Sequence, residues 1–262
     1  MTKELSKKEK DELAIQEMQS SDLWGAPQMT KKDIVIPRLL LMQPMSEKVT
    51  GGSAAFGDIV DSLTDTKVGG FDAPPVRIVP FLMQKTFVVF DANDPEDKKF
   101  LRIDPITPEN EDARYEDEEK DEHGDIIKIS RVRTMTFYVL LEEELKKGSA
   151  IPYIVAFAKT SLNAGKKLAT QMYVKNVNSG KTPAGMVMGI TVSKQSQDKK
   201  TWAIFDMETI SEAPMEYQQE AFKWLKLVKS GETRVDEGAF EEEAKEKEVS
   251  SKKVDTSGPS DY

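Results

Sequence analysis

The stretch Ile151–Asp206, IPYIVAFAKTSLNAGKKLATQMYVKNVNSGKTPAGMVMGITVSKQSQDKKTWAIFD, decides both the fold class and the function of this chain. Its apolar opening (Ile154, Val155, Phe157) reads as a strand that runs into a helix-start signal at Thr160–Ser161. Leu162, Gly165, Leu168, Ala169 and Met172 then recur at three- and four-residue spacing, which predicts a short helix with one inward face. Beyond a glycine- and proline-marked loop, two strand-like runs, Met186–Val192 and Trp202–Met207, flank the polar turn SKQSQDKK.

Charge sets this unit apart from the rest of the chain. Between Ile151 and Trp202 stand Lys159, Lys166, Lys167, Lys175, Lys181, Lys194, Lys199 and Lys200 against Asp198 alone, in a protein of net charge -9. Tyr153, Phe157, Tyr173, Trp202 and Phe205 are interleaved with them. Lysines neutralise phosphates and flat rings stack on bases, so this mixture suits a surface that holds a single-stranded polyanion. The plainer alternative is a solvated lysine face on elements that merely pack inward.

The chain has 262 residues, enough for a sizeable core, and reads as mostly β with helices, an α+β class. Hydrophobic residues make up 38% and charged residues 32%, with mean hydropathy -0.51, so substantial solvated segments are expected. Absence of cysteine excludes disulfides and thiolate chemistry, and the one histidine, His123, lies in a very acidic stretch, so neither a catalytic triad nor a multi-histidine metal site is expected. No cofactor is expected. The N-terminus, MTKELSKKEKDELAIQEMQ, lacks the apolar centre of a signal peptide, and no apolar run reaches membrane-spanning length. A cytoplasmic protein without a membrane partner is the expectation.

Residues 1–32 read as a mobile lead-in, and 33–230 as the domain. DIVIPRLLLMQPMS supplies a first buried strand, interrupted or placed at an edge by Pro37. VTGGSAAFGDIVDSLTDTKVGG follows as hairpin material, and VRIVPFLMQKTFVVFD is the longest strand signal, bent at Pro80. Within 91–125 fifteen acidic residues face five basic ones, which predicts a long exposed insertion. IIKISRVRTMTFYVLLEEEL restores strand character and places Arg131 and Arg133 on one face, either against phosphates or against acidic cross-strand neighbours. A helix is expected over 211–230, with Tyr217, Ala221, Trp224 and Val228 as its apolar stripe, widened by Phe222 and Leu225, packed on the body or on another subunit. Residues 231–262 carry ten acidic residues against five basic and read as a disordered tail ending in Asp261 and Tyr262.

A β-rich body with a lysine and aromatic face, no catalytic constellation, and an acidic tail ending in an aromatic together resemble bacteriophage single-stranded DNA-binding proteins of the OB-fold. IPRLLLMQPMSEKVTGGSAAFGDIVDSLTDTKVGG followed by PPVRIVPF is similar to phage replication-region proteins placed in the same group. The resemblance implies an OB-like barrel that binds single strands without sequence preference. It also implies a tail, here Asp261 and Tyr262, that contacts replication or recombination proteins, in a protein of the host cytoplasm that is not an enzyme. The expected DNA contacts are Lys159, Lys166, Lys167, Lys175, Lys181 and Lys194 to phosphates, Tyr173 and Trp202 to bases, and Arg131 and Arg133 behind them. An oligomer is compatible with all of this. The alternatives are a virion or assembly protein without DNA binding, and a metal-dependent phosphoryl-transfer enzyme using Asp58, Asp61 and Asp91.

Overall fold

Two long strands form the axis of the protein, because the two longest runs of β-branched and aromatic residues lie antiparallel along their whole length. In the computed structural model, which describes residues 35–93, 99–121, 123–198 and 200–230 together with the backbone of 234–235, these are β5 (Val76–Asp91) and β8 (Ile126–Leu141). They pair from Ile78↔Leu141 to Asp91↔Ile129, and the register shifts between Pro80 and Leu82, where proline cannot donate to the ladder. This is the bend expected at Pro80.

Each long strand changes its outer neighbour half-way along. At one end, β9 (Pro152–Ala158) pairs with β8, while β10 (Met186–Gln197) pairs with β5 and with β11 (Lys200–Glu212). At the other end, β6 (Phe100–Pro105) pairs with β5 and β7 (Glu116–Lys120) with β8. The acidic segment expected as an exposed insertion therefore adds two strands to the main sheet, although its side chains stay largely solvated. The sheet is strongly curled there. Arg102 of β6 reaches Glu119 of β7 at 2.7 Å although β5 and β8 lie between them.

Before the axis come β1 (Val35–Ile36) and β2 (Leu39–Leu41), broken at Pro37 as expected, then a one-turn helix α1 (Glu47–Thr50) and the hairpin β3 (Ile59–Asp61) and β4 (Lys67–Gly69). β2, β3 and β4 form a separate three-stranded sheet. β12 (Arg234–Val235) pairs parallel with β1. Among the described residues the sheets do not close into a barrel, which corrects the expectation of an OB-like barrel. The outer edge of β9 receives the backbone of Pro37 and Arg38, and among the described residues no strand pairs with the outer edge of β11, where the Gln43 amide accepts from the Ala203 N–H at 3.0 Å and donates to its carbonyl at 3.1 Å. One side-chain amide satisfies one residue of an edge and cannot continue a ladder.

Alternation along β8 sends its side chains to two cores. Met135, Phe137 and Val139 join Val155, Phe157, Ile190 and Phe205 beneath α3 (Leu162–Thr170), which contributes Ala164 and Leu168. Tyr138 and Leu140 face the other way, toward α4 (Met215–Lys229), which contributes Tyr217 and Ala221. A short helix α2 (Glu142–Lys147), ended by Gly148 in the left-handed conformation, links β8 to β9. Residues 1–34 and 236–262, including Asp261 and Tyr262, lie outside the described residues.

Candidate nucleic-acid interface

The lysine-rich unit folds as β9, a 3₁₀ turn (Lys159–Ser161), α3, a π-helical turn (Gln171–Asn176) and the β10–β11 hairpin. Gly165 lets α3 lie close to the sheet: a Cβ there would stand 2.9 Å from Phe157 Cβ and 3.4 Å from Met135 Cβ. With Ala164, Leu168 and Met172 buried, helical geometry turns Lys166, Lys167, Thr170 and Tyr173 outward.

These outward residues are held in different ways. Lys167 Nζ lies 2.8 Å from Asp206 Oδ1 of β11, and that hydrogen bond holds the Asp206 carboxyl below the usual carboxylate range. Lys166 and Lys175 are exposed and form no ion pair among the described residues. Tyr173 is 39% exposed while its hydroxyl accepts from the Met83 N–H at 3.2 Å, on the stretch of β5 that neither β10 nor β6 covers. Burial raises the Tyr173 hydroxyl above its ordinary value, with the Met83 amide opposing, so the ring stays neutral and pinned at one end.

The hairpin distributes the other candidates. Strand pairing continues through the segment expected as a turn, to Gln197↔Lys200, with Asp198 at φ +55° in the reversal. Lys194, opposite Ala203, is exposed near this tip and has no acidic partner among the described residues. Trp202, opposite Gln195, is half-buried, and its indole N–H is buried without a hydrogen-bond partner among the described residues. Lys181 is at the other end, paired with Glu212. Met186 marks that end, and eight residues of strand separate it from Lys194, about 26 Å, so Lys181 and Lys194 do not share one short groove. Lys159, exposed at φ +50°, lies in the turn that contacts β11.

Arg131 and Arg133 face acidic neighbours, the second of the two possibilities their spacing left open. Arg131 binds Asp117 at 2.8 Å and Glu119, both on β7, and the Arg131 hydrogen bond holds Asp117 below the usual carboxylate range. Arg133 donates to the Glu111 carbonyl and lies 5.7 Å over the Phe87 ring. The Phe87 contact was legible only once Phe87↔Arg133 is known to be a cross-strand pair. Both arginines thus clasp the acidic arm.

The carboxylates of the enzymatic alternative do not converge. Asp58 pairs with Lys67 at 2.7 Å, Asp61 accepts from the Leu63 N–H at 2.8 Å, and Asp91 sits at the far end of β5 accepting from the Asn93 N–H. Among the described residues there is no group of three or more His, Asp or Glu placed to hold a metal ion. No helix among them is long and apolar enough to cross a membrane.

A family model described as Pam3 phage gp34-like protein matches residues 7–234, most of the chain and every element above except the last residue of β12. The chain belongs to this family. The name of the Pam3 phage gp34-like family points to a bacteriophage origin. No curated protein and no solved structure matches the chain.

Proposed function

We propose that this protein binds single-stranded nucleic acid without sequence preference, in phage DNA replication or recombination, through the outward face of α3, the π-helical turn and the β10–β11 hairpin. One observation carries the reading: from Ile151 to Gln197 there is no aspartate or glutamate, and among the described residues Lys166, Lys175 and Lys194 have no acidic partner beside the exposed, pinned residue Tyr173. An unneutralised lysine keeps its counterions until a phosphate displaces them, which is the source of salt-dependent affinity. A ring fixed through its hydroxyl loses little freedom when a base stacks on it, a contact worth roughly 1–3 kcal/mol. Lys159, Lys167, Lys181 and Trp202 are the flanking contacts. Lys167 and Lys181 bind less strongly because each must first leave a carboxylate.

The reading needs no closed barrel, since a helix face beside a hairpin already tracks a strand. Arg131 and Arg133 are assigned to the acidic arm rather than to DNA. The acidic tail competes weakly for the lysine face, and deletion after Ser230 is expected to tighten binding at low salt. The test is fluorescence anisotropy of labelled oligo-dT against the same sequence as duplex, at low and moderate salt. Salt-sensitive binding to the single strand and weak binding to the duplex is the expected result. Absence of binding at micromolar protein, with the tail removed as well, would leave a phage assembly protein as the better account.

A further inference from the structure

α4 carries two stripes. Tyr217, Ala221, Trp224, Leu225 and Val228 turn toward the sheet, and the Trp224 indole donates to the Ala150 carbonyl at 3.2 Å. Met215, Gln219, Phe222 and Lys226 fall at i, i+4, i+7 and i+11, the spacing of a helix-pairing seam, and all four are exposed. Met215 is 67% and Phe222 55% exposed, which the inward face does not explain, and Lys226 Nζ lies 4.5 Å over the Phe222 ring.

Charge along this helix is divided. Glu216 and Glu220 stand in its first half and Lys223, Lys226 and Lys229 in its second. Glu220 is already paired with Lys223 at 2.6 Å, whereas Glu216, Lys226 and Lys229 have no ion pair among the described residues. A helix with an acidic half and a basic half is complementary to its own reverse and repels a parallel copy.

We infer that this stripe docks a second copy of this chain, with the two α4 helices antiparallel about a two-fold axis at Ala221 and Glu216 of each copy facing Lys226 of the other. Both residues stand five positions from Ala221, about 7.5 Å along the helix, so one axis satisfies both contacts. Phe222 lies one position from the axis, and the two rings meet across it, covering each other's exposed edges. A single 15-residue helix buries less than a standard interface, so the dimer is weak and reaches half-occupancy only at micromolar protein or above. The core beneath α4 lies on the opposite face of the sheet from the core beneath α3, so pairing leaves the lysine face of each copy open. The inference does not depend on what that face binds.

Sedimentation velocity of the full chain from low to high micromolar concentration tests it without nucleic acid. The wild-type protein is expected to shift from monomer to dimer, and Phe222→Glu to stay monomeric. Glu216→Lys and Lys226→Glu should each weaken the dimer by roughly tenfold, because symmetry repeats each charge contact twice. The combined Glu216→Lys/Lys226→Glu variant restores the pair in reverse and should return to within about twofold of wild type, a rescue that a folding defect would not produce. A wild-type chain that is monomeric throughout, or a combined variant no better than its parents, would overturn the inference. A monomer whose Tm nevertheless falls in Phe222→Glu would do so too, by assigning the stripe to another part of the same chain.

Discussion

Gly165→Ala sets local propensity against packing, and the two predict opposite signs. Gly165 is inside α3, where replacing glycine by alanine gains about 1 kcal/mol of helix propensity. The new Cβ, however, would stand 2.9 Å from Phe157 Cβ and 3.2 Å from Phe157 Cγ, against an ordinary carbon contact of roughly 3.5–4 Å. Neither neighbour is a flexible chain end, because Phe157 is fully buried and wedged edge-on between Phe137 and Phe205 at 5.5 and 5.6 Å. α3 must therefore withdraw by a good fraction of an ångström, loosening Ala164, Leu168 and Met172 together. Overpacking of this kind costs about 1–3 kcal/mol, which outweighs the propensity gain and leaves a net loss on the order of 1 kcal/mol. Thermal unfolding followed by circular dichroism would register this as a fall in Tm of roughly 2–4 °C. Gly165→Leu should lose several times more. A Gly165→Ala protein as stable as wild type, or more so, would refute the close seating of α3 on β9 from which the orientation of Lys166 and Tyr173 is argued.

Three further outcomes are expected. Charge reversal of Lys166 and Lys175, the α3-side lysines without acidic partners among the described residues, should weaken oligo-dT binding and flatten its log–log salt dependence by about 1.4, since each single-strand phosphate contact contributes about 0.7; an unchanged slope in anisotropy titrations would place the strand elsewhere. Arg131→Met should free Asp117 and Glu119, so hydrogen exchange should quicken over Glu116–Lys120 and not over Pro152–Ala158, with global stability little changed and single-strand affinity unaltered. The Asp206 carboxyl has a lowered native pKa because Lys167 hydrogen-bonds it. Its contribution is accordingly complete above the ordinary carboxylate value near about pH 4 and disappears as pH falls through the lowered value; urea titrations at descending pH should show a shallower acid decline in Lys167→Met.

Much of the body was legible along the chain. Pro37 breaks its strand and Pro80 shifts the register of its own, because a residue without an N–H cannot donate to a ladder wherever the partner lies. The α3 spacing read correctly because it reports one buried face, and Met186–Val192 and Trp202–Met207 were legible as strands from their apolar runs. Phe222 did not: it lies beside the inward stripe in sequence, and whether such a flanking position is covered depends on how far the sheet extends under the helix. Strand β7, EDEEK, was illegible as a strand. It has no apolar alternation, and it is extended because the open edge of β8 and the Arg131 guanidinium receive it.

By itself, then, the sequence determined the order of the long strands and helices and the separation of charge into a lysine-rich unit and an acidic arm, because periodicity and charge density are properties of neighbours along the chain. Only the tertiary structure decided that, among the described residues, the sheet stays open at β11, that Arg131 and Lys167 are neutralised while Lys166, Lys175 and Lys194 are not, and that a second stripe of α4 faces outward. Each of these depends on which distant residue stands within about 3 Å of a given group, and ion pairing and edge satisfaction are short-ranged forces that the folded chain alone can place.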